Sequence, residues 1–425
     1  MIYIQLKKYF IDGVLLFFLI FGFYLTEGIN SSFLVPFISI LIGLLFRGKE
    51  FVSSIRILFL DKNFLLIISC LFFISLLCVL ITVMHEKYDF SYFKNFISQV
   101  IQIICIFFFI CLISANSNFP NKQSYFEMLL IFVFVAQSLI QISAFLFPVV
   151  ANFVHFFYLE DDISNLYEKS GMIRGLALAS SSGWGLAVGY ACVFILFTKR
   201  FLIEKKISLF VVLIGVLLFV GCFFSGRTAF VGALLSFFYY CFSSKRLTLK
   251  IKEVLIFIIP LGILLFLSLM FFGSDSSAIN KVLGFAFEPI YNYINSGRLE
   301  THSTNTLMDM WDKDVTIEDF MYGVGVFTDP NTGKYYMQTD VGYLRNLYYG
   351  GILWVLIISV YHLLISGFFL NKKHTENIKP VINIFILLSF ILEFKAMTLG
   401  FNKYLFTILV SYQFVLILNS KKKYE

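Results

Sequence analysis

Arginine is the residue type whose placement in this sequence most directly indicates chemistry. Four arginines stand beside small residues or at the ends of apolar segments, namely Arg174, Arg227, Arg298 and Arg345. A guanidinium binds phosphate through a planar fork of N–H groups and never loses its charge. Small neighbours such as Gly226 and Gly297 let a ligand approach the backbone. The pattern favours an anion site; the alternative is arginines that snorkel or pair with nearby acids.

The composition decides which elements must position these arginines. Of the 425 residues, 59% are hydrophobic and only 14% are charged, whereas soluble domains are about 25% charged. The mean hydropathy is +0.86, which excludes a soluble enzyme with one anchor. Long unbroken apolar runs also exclude a transmembrane barrel. We therefore expect an all-α polytopic membrane protein.

A window of about 20 residues locates about twelve transmembrane helices. The predicted spans are 11–27, 31–46, 63–84, 97–114, 126–149, 178–197, 206–224, 229–243, 253–272, 342–369, 379–398 and 403–419. No CxxC, Cys/His cluster, P-loop, GxGxxG or HExxH occurs, so we expect neither a metal nor a cofactor. The net charge of +7 lies mostly in short connections, which indicates topology rather than nucleic-acid binding.

Most Lys and Arg residues fall in alternate, short connections, which predicts cytoplasmic N- and C-termini. Two long loops then lie on the opposite, periplasmic side of a bacterial inner membrane, at about 150–177 and at 273–341. The organisation expected is 1–272 with nine spans, 273–341 as a large periplasmic loop, and 342–425 with three spans and a cytoplasmic tail. Helical spacing at Leu307, Met310 and Trp311 predicts that the large loop is partly helical.

This placement puts all four arginines at the outer edge of the membrane. A lipid-linked pyrophosphate carries its charged head at that edge and its tail in the bilayer. Arginines at the outer ends of several helices would meet such a head. Asp340 and Arg345 border a span, where charge is expensive and is usually paired or functional.

Several short motifs resemble the O-antigen polymerases (Wzy proteins), which are relatives of the O-antigen ligases. Ser225-Gly-Arg-Thr-Ala-Phe is similar to a turn that opens a helix in both groups. Arg174, ten residues and Gly185 resemble the arginine–glycine pattern of polymerase periplasmic loops. Arg298, Trp311 and Tyr322-Gly-Val-Gly325 resemble the course of the main loop, and Asp340-Val-Gly-Tyr-Leu resembles the stretch before the next span.

The resemblance implies transfer of a growing glycan from undecaprenyl pyrophosphate to a sugar hydroxyl of a lipid-linked repeat unit. Fixed cations would stabilise the leaving pyrophosphate, and the hydroxyl needs a proton acceptor. Asp340 is the first candidate for that acceptor, with a helix cap as the alternative; Glu300 and His302 come next. Trp311 and Tyr343 would present ring faces to sugars, or simply pack the loop. Expected partners are lipid-linked oligosaccharides, membrane lipids and a chain-length regulator.

Two departures from the family pattern bear on the alternatives. A ligase would carry a histidine near position 340, and the sequence has none there, which favours a polymerase over a ligase. The loop after Arg298 lacks a second arginine–ten–glycine pattern, because position 309 is Asp309. A flippase for lipid-linked oligosaccharides is the third alternative, and it would carry cations in the middle of its spans.

Overall fold

The computed structural model describes most of the chain. The described residues are 2–26, 29–116, 121–159, 173–203, 208–243, 288, 292–298, 300–330, 332–370 and 378–421. They group into two compact units. The first unit comprises Met1–Ile20, Ser31–Leu129 and Thr306–Glu425, and the second comprises Phe21–Asn30 and Leu130–Asn305.

The α-helices of these ranges include fifteen with defined bounds, besides a short helical stretch at 292–296. They are α1 (Ile2–Phe21), α2 (Leu34–Ile42), α3 (Gly48–Phe59), α4 (Lys62–Met84), α5 (Ser91–Ser114), α6 (Lys122–Leu146), α7 (Pro148–His155), α8 (Trp184–Phe197), α9 (Leu209–Ser225), α10 (Ala229–Ser243), α11 (His302–Trp311), α12 (Ile317–Tyr322), α13 (Gly342–Ile365), α14 (Lys379–Glu393) and α15 (Lys403–Lys421). One antiparallel pair of short strands, Tyr24–Thr26 with Ile29–Asn30, follows α1.

Among the described residues, seven helical stretches are long and apolar enough to cross a membrane, and three further apolar helices are shorter. Every predicted span in the described residues overlaps a helix, while span 253–272 lies outside them. The chain therefore has the character of a mostly helical, polytopic membrane protein. The total of twelve spans remains a prediction.

The first clear difference from the sequence prediction is the segment after the second span. The sequence predicts a connection at 47–62, but a π-helical turn at Gly43–Arg47 leads directly from the second span into α3. Phe51, Ser54 and Leu58 are buried along α3, and their spacing defines one face of a helix. The apolar face of α3 therefore packs on the protein, which a search for long apolar runs does not detect.

The second difference is a break in α13. The predicted span 342–369 was uninterrupted, but Gly350 and Gly351 have non-helical backbone angles. The break frees two carbonyl groups: the N–H of Val324 donates to Tyr348 O at 2.5 Å, and that of Gly325 donates to Tyr349 O at 3.0 Å. A neighbouring segment thus satisfies the polar groups that the broken helix leaves open.

That neighbouring segment contains the Gly-x-Gly sequence at 323–325. Gly323 has a φ of +74°, and a Cβ there would lie 2.6 Å from the Gly350 nitrogen. Gly325 has a φ of +73°, and its Cβ would lie 2.5 Å from the His85 side chain. Both positions need glycine for conformation and for space, so the motif has a structural role.

The first unit groups helix ends as the predicted topology requires. Asp12 is fully buried, and its carboxylate lies 3.0 Å from Arg47 Nη2 and accepts a hydrogen bond from the Tyr125 hydroxyl at 2.7 Å. Arg47 also donates to the Leu112 carbonyl. All four residues fall on the predicted cytoplasmic side. Their contacts join α1, α5 and α6 to Arg47, and a buried charge pair needs such additional hydrogen bonds.

The second unit is built around α8, which is buried nearly all round. Tyr190 on α8 donates to Gln141 Oε1 at 3.0 Å and shares a 2.9 Å hydrogen bond with Ser138. Its helices α9 and α10 are joined by a tight turn at Gly226, whose φ is +142°. This turn confirms the close connection expected around Arg227.

The large loop of the sequence prediction contains folded helices. Leu307, Met310 and Trp311 lie on α11 and pack against a buried cluster of Val341, Leu344 and Tyr348. The predicted helical spacing is therefore confirmed in the described part of the loop.

Candidate functional site

Arg345 is the candidate whose surroundings are most unusual. It lies in the first turn of α13, where its N–H donates to Val341 O at 3.0 Å, and it is only 5% exposed. Its Cζ lies 4.0 Å from the ring centre of Phe327 and 3.4 Å from that of Tyr335. Aromatic rings attract a guanidinium through their negative faces, so two rings hold this charge inside the protein.

The Nε–Nη2 edge of the same guanidinium has no hydrogen-bond partner among the described residues. Nε and Nη2 of Arg345 are buried, and neither makes a hydrogen bond with the described residues. Asp340 and Glu393 act on the charge at longer range, but no ion pair joins Arg345 to a carboxylate in that part of the chain. Nε and Nη2 carry the two parallel N–H groups that a phosphate or a carboxylate accepts. Because Nε and Nη2 are buried, an anion with two oxygens can reach this edge only when neighbouring groups move.

The rings of Phe327 and Tyr335 belong to a hairpin-like turn, and Asp89 holds this turn through hydrogen bonds to its backbone. Oδ2 of Asp89 accepts the N–H groups of Phe327 and Thr328, both at 2.7 Å. Oδ1 accepts the N–H of Ser91 at 2.9 Å. Partial burial alone would raise the pKa of Asp89, but these hydrogen bonds outweigh it and hold the pKa below its ordinary value. Asp89 is therefore a charged anchor for the ring-bearing turn.

The buried carboxylate of Glu393 holds the start of α13 through hydrogen bonds. Oε1 of Glu393 accepts from Asn346 Nδ2 at 2.9 Å, and Oε2 accepts the N–H groups of Thr398 and Leu399 at 2.6 and 2.7 Å. Asn346 in turn accepts from the Tyr92 hydroxyl at 2.6 Å. Because donors occupy both oxygens, Glu393 has a structural role here rather than a proton-accepting one.

Arg227 has a different environment, in the second unit. Its Nη2 lies 3.0 Å from Glu288 Oε2 and donates to Ser303 Oγ at 3.1 Å. Oε1 of Glu288 accepts the His302 N–H at 2.7 Å, at the first residue of α11. The charge of Arg227 is thus shared with a carboxylate at a helix N-terminus, where anions are favoured. His302 contributes its backbone N–H to this cluster.

The remaining candidates of the second unit are less enclosed. The Arg298 side chain is 74% exposed and lies 3.9 Å from the Glu300 carboxylate, so this ion pair is long and solvated. The backbone of Arg174 lies in a 3-10 turn, Ile173–Leu176, which His155 holds through a 3.1 Å contact with Gly175 O. The position of Arg174 is thus anchored, while its side chain lies outside the described residues.

Three further candidates lie close in the chain to Arg345 or pack near it. Asp340 is exposed, and the N-cap of α13 is Val341, so Asp340 is not the cap of that helix. Trp311 donates to Phe394 O at 3.0 Å, and Tyr343 donates to Phe390 O at 3.2 Å. Both rings also pack against Phe394. Loop packing therefore accounts for Trp311 and Tyr343 in this state.

The candidates thus fall into two groups. Arg345, Asp340, Trp311 and Tyr343 belong to the first unit, and Arg174, Arg227, Arg298, Glu300 and His302 belong to the second. Sequence reasoning missed the residues that hold the arginines, namely Asp89, Phe327, Tyr335 and Glu288. A turn-forming stretch at 329–333, Asp-Pro-Asn-Thr-Gly, was the one available signal that a hairpin flanks Phe327.

These features define a polytopic helical membrane protein with a buried arginine, Arg345. The Nε and Nη2 atoms of this arginine make no hydrogen bond with the described residues. No family model matches the chain, and no curated protein or solved structure matches it either.

Proposed function

We propose that this chain polymerises lipid-linked glycan repeat units on the periplasmic face of a bacterial inner membrane, as O-antigen polymerases do. The observation that carries the proposal is Arg345, a buried arginine at the start of a helix that is long and apolar enough to cross a membrane, and its Nε and Nη2 make no hydrogen bond with the described residues. A lipid-linked pyrophosphate offers two anionic oxygens at that depth. The motif resemblance to the polymerases supplies the reaction.

In the proposed reaction a sugar hydroxyl of the incoming repeat unit attacks the anomeric carbon of the growing glycan. The bond between that carbon and the pyrophosphate oxygen breaks, and undecaprenyl pyrophosphate leaves with the bonding electrons. Arg345 binds the departing charge through its side-on edge, which is worth most in a partly dry site. No metal or cofactor is required by this scheme.

The hydroxyl proton passes to a carboxylate, for which we propose Asp340. Its exposure leaves it open to substrate, and its charge acts on Arg345, so one substrate could contact both. Glu300 and His302 are the alternatives in the second unit. A general base must come within hydrogen-bond reach of the hydroxyl only in the substrate complex.

Arg174, Arg227 and Arg298 are proposed as further cations for the pyrophosphate or the glycan. For Arg227 to bind substrate, the Glu288 carboxylate must be displaced, because it now occupies Nη2. The proposed partners are lipid-linked oligosaccharides and a chain-length regulator. The ligase alternative would transfer the same glycan to lipid A–core, and the flippase alternative would only move it across the membrane.

A gene deletion separates these functions. Loss of a polymerase leaves the lipid A–core capped with a single repeat unit, whereas loss of a ligase or of a flippase leaves the core bare. We expect the single-repeat product on a lipopolysaccharide gel.

Complementation with variants then tests the site. Arg227→Ala and Arg298→Ala are expected to abolish the polymer ladder while the protein still inserts. Arg56→Ala, at an exposed arginine of α3, is the matched control and should restore the full ladder. Normal ladders from both Arg227→Ala and Arg298→Ala would remove these two arginines from the site.

A further inference from the structure

We propose that Asp89 is a positioning residue for Arg345, acting through the turn that carries Phe327 and Tyr335. The inference rests on the proposed function only for its effect on substrate. The structural link between Asp89 and the guanidinium can be measured without any substrate.

Asp89 holds the turn through hydrogen bonds to its backbone. One carboxylate oxygen accepts two successive N–H groups, those of Phe327 and Thr328, both at 2.7 Å. The Thr328 hydroxyl adds a 2.9 Å hydrogen bond to Ser91 Oγ. Hydrogen bonds to a charged acceptor contribute more than neutral ones, so this segment is held at both backbone and side chain.

The two rings are coupled within the turn. Thr328 and Tyr335 form a β-bridge, and the N–H of Tyr336 donates to Phe327 O at 3.2 Å. The N–H of Asp329 donates to Lys334 O at 2.8 Å. The segment that carries Phe327 and the segment that carries Tyr335 are therefore held together. The position of the Phe327 backbone thus determines the position of the Tyr335 ring.

The Phe327 ring also packs against Tyr92. It stacks on Tyr92 with ring centres 4.5 Å apart and planes 8° from parallel. Tyr92 is the second residue of α5, and Asp89 lies in the connection just before that helix. The carboxylate and the stacked ring thus hold Phe327 from the start of α5, which is how a supporting shell keeps a functional group in place.

The consequence falls on Arg345. Its guanidinium lies 4.0 Å and 3.4 Å from the two ring centres, and the rings contact its faces while its Nε–Nη2 edge is left without a partner in the described chain. The rings limit the rotation of the guanidinium, so less freedom is lost when an anion binds. Asp89 makes no contact with the anion in this scheme.

The substrate-free experiment uses the full chain in lipid nanodiscs. Phenylglyoxal modifies accessible guanidinium groups, and mass spectrometry follows the rate at Arg345 in the wild type, Asp89→Asn and Asp89→Ala. Asp89→Ala removes both hydrogen bonds to the turn, and the loss of even one charge-assisted hydrogen bond corresponds to about tenfold, so we expect the rate to rise about tenfold or more. Asp89→Asn keeps one acceptor oxygen and should fall in between.

The matched control is Glu86→Ala, which removes an exposed carboxylate from the same connection. It should leave the rate at Arg345 unchanged. Hydrogen exchange of α4, α5 and α13 in each variant reports whether the helices stay folded. If Asp89→Ala loses the fold, Asp89→Asn alone decides the question through its graded rate.

The ligand-bound experiment measures binding of undecaprenyl pyrophosphate to the same nanodiscs. We expect Asp89→Asn and Arg345→Gln each to weaken binding, and the double variant to bind no more weakly than Arg345→Gln alone. That non-additivity identifies a residue acting through another, whereas a general loss of structure would add to the Arg345→Gln effect.

The outcomes separate the inference from the proposed function. An unchanged phenylglyoxal rate in folded Asp89→Ala overturns the positioning role of Asp89, whatever the lipid does. A raised rate together with no lipid binding by the wild type retains the positioning role and rejects the proposed substrate. Fully additive losses of lipid binding also overturn the positioning role.

Discussion

Replacing Arg345 with methionine distinguishes a ligand-binding arginine from a structural one. Methionine is unbranched and apolar, so it follows the arginine side chain as far as Nε without the charge, and its flexible thioether can adapt to the space between Phe327 and Tyr335. The substitution removes the two N–H groups at Nε and Nη2 that have no acceptor among the described residues. It therefore removes interactions that exist only when an anion is bound.

The expected loss of activity follows from those two donors. A hydrogen bond to a charged group contributes about 1.5–3 kcal/mol, so two contribute about 3–6 kcal/mol. At about 1.4 kcal/mol for each factor of ten, kcat/KM should fall by about 10²–10⁴-fold. Arg345→Lys keeps the charge but not the fork, so its loss should be smaller, about 10–100-fold.

The expected change in stability is small or favourable. The variant loses stacking of the charge on two rings, about 0.5–2 kcal/mol. It also relieves the burial of unpaired donors, which costs about 1–3 kcal/mol or more. We therefore expect the thermal unfolding midpoint in nanodiscs to stay level or rise, while polymer formation is lost.

The assay pairs that midpoint with initial rates on lipid-linked repeat units. A variant that is active within about threefold of the wild type would refute the anion site. A clearly lowered unfolding midpoint would show that Arg345 stabilises the fold, and the reasoning from unpaired donors would then be wrong.

Three further predictions concern the supporting residues. The pKa of Asp89 in the folded chain lies below its ordinary value of 3.8. The stability that the Asp89 carboxylate gives the fold is therefore complete above pH 3.8 and is lost as the pH falls through the folded pKa. Hydrogen exchange of residues 326–336 should rise on acidification, and it should rise less in Asp89→Asn. Gly323→Ala should lower the unfolding midpoint more than Gly333→Ala, because both have positive φ but only Gly323 has backbone within 4 Å of the added Cβ; equal losses would exclude the clash. Glu288→Gln should raise the phenylglyoxal reactivity of Arg227, because it weakens the ion pair between the two side chains. A partly exposed pair of this kind contributes at most about 1 kcal/mol. An unchanged rate would show that the Glu288 charge does not hold Arg227.

Local patterns were sufficient for most of the helices. Apolar runs predicted where the described apolar helices lie, and the spacing of Leu307, Met310 and Trp311 predicted α11 correctly. The amphipathic helix α3 escaped notice because its buried face repeats only every three or four residues and its other faces carry charge. The break in α13 depends on a distant segment packed against Gly350 and Gly351, which no local pattern contains.

The sequence indicated Arg345 as a candidate residue, but it did not indicate the residues that hold Arg345 in place. The position of Arg345 beside a span indicated a functional charge, but the hydrogen bond from Phe327 to Asp89 joins residues 238 positions apart. One sequence gives no measure of such a distant contact. The same holds for Glu288, whose pairing with Arg227 changes that arginine from an open cation to a partly neutralised one.

The most direct test of the central claim is reconstitution. The purified chain in nanodiscs would be mixed with the undecaprenyl-pyrophosphate-linked repeat unit extracted from the strain in which the gene has been deleted. The account predicts glycan chains of two or more repeat units on the lipid, with free undecaprenyl pyrophosphate released once for each linkage. Repeat units that remain single, with no undecaprenyl pyrophosphate released by an Arg345-intact and folded chain, would contradict it.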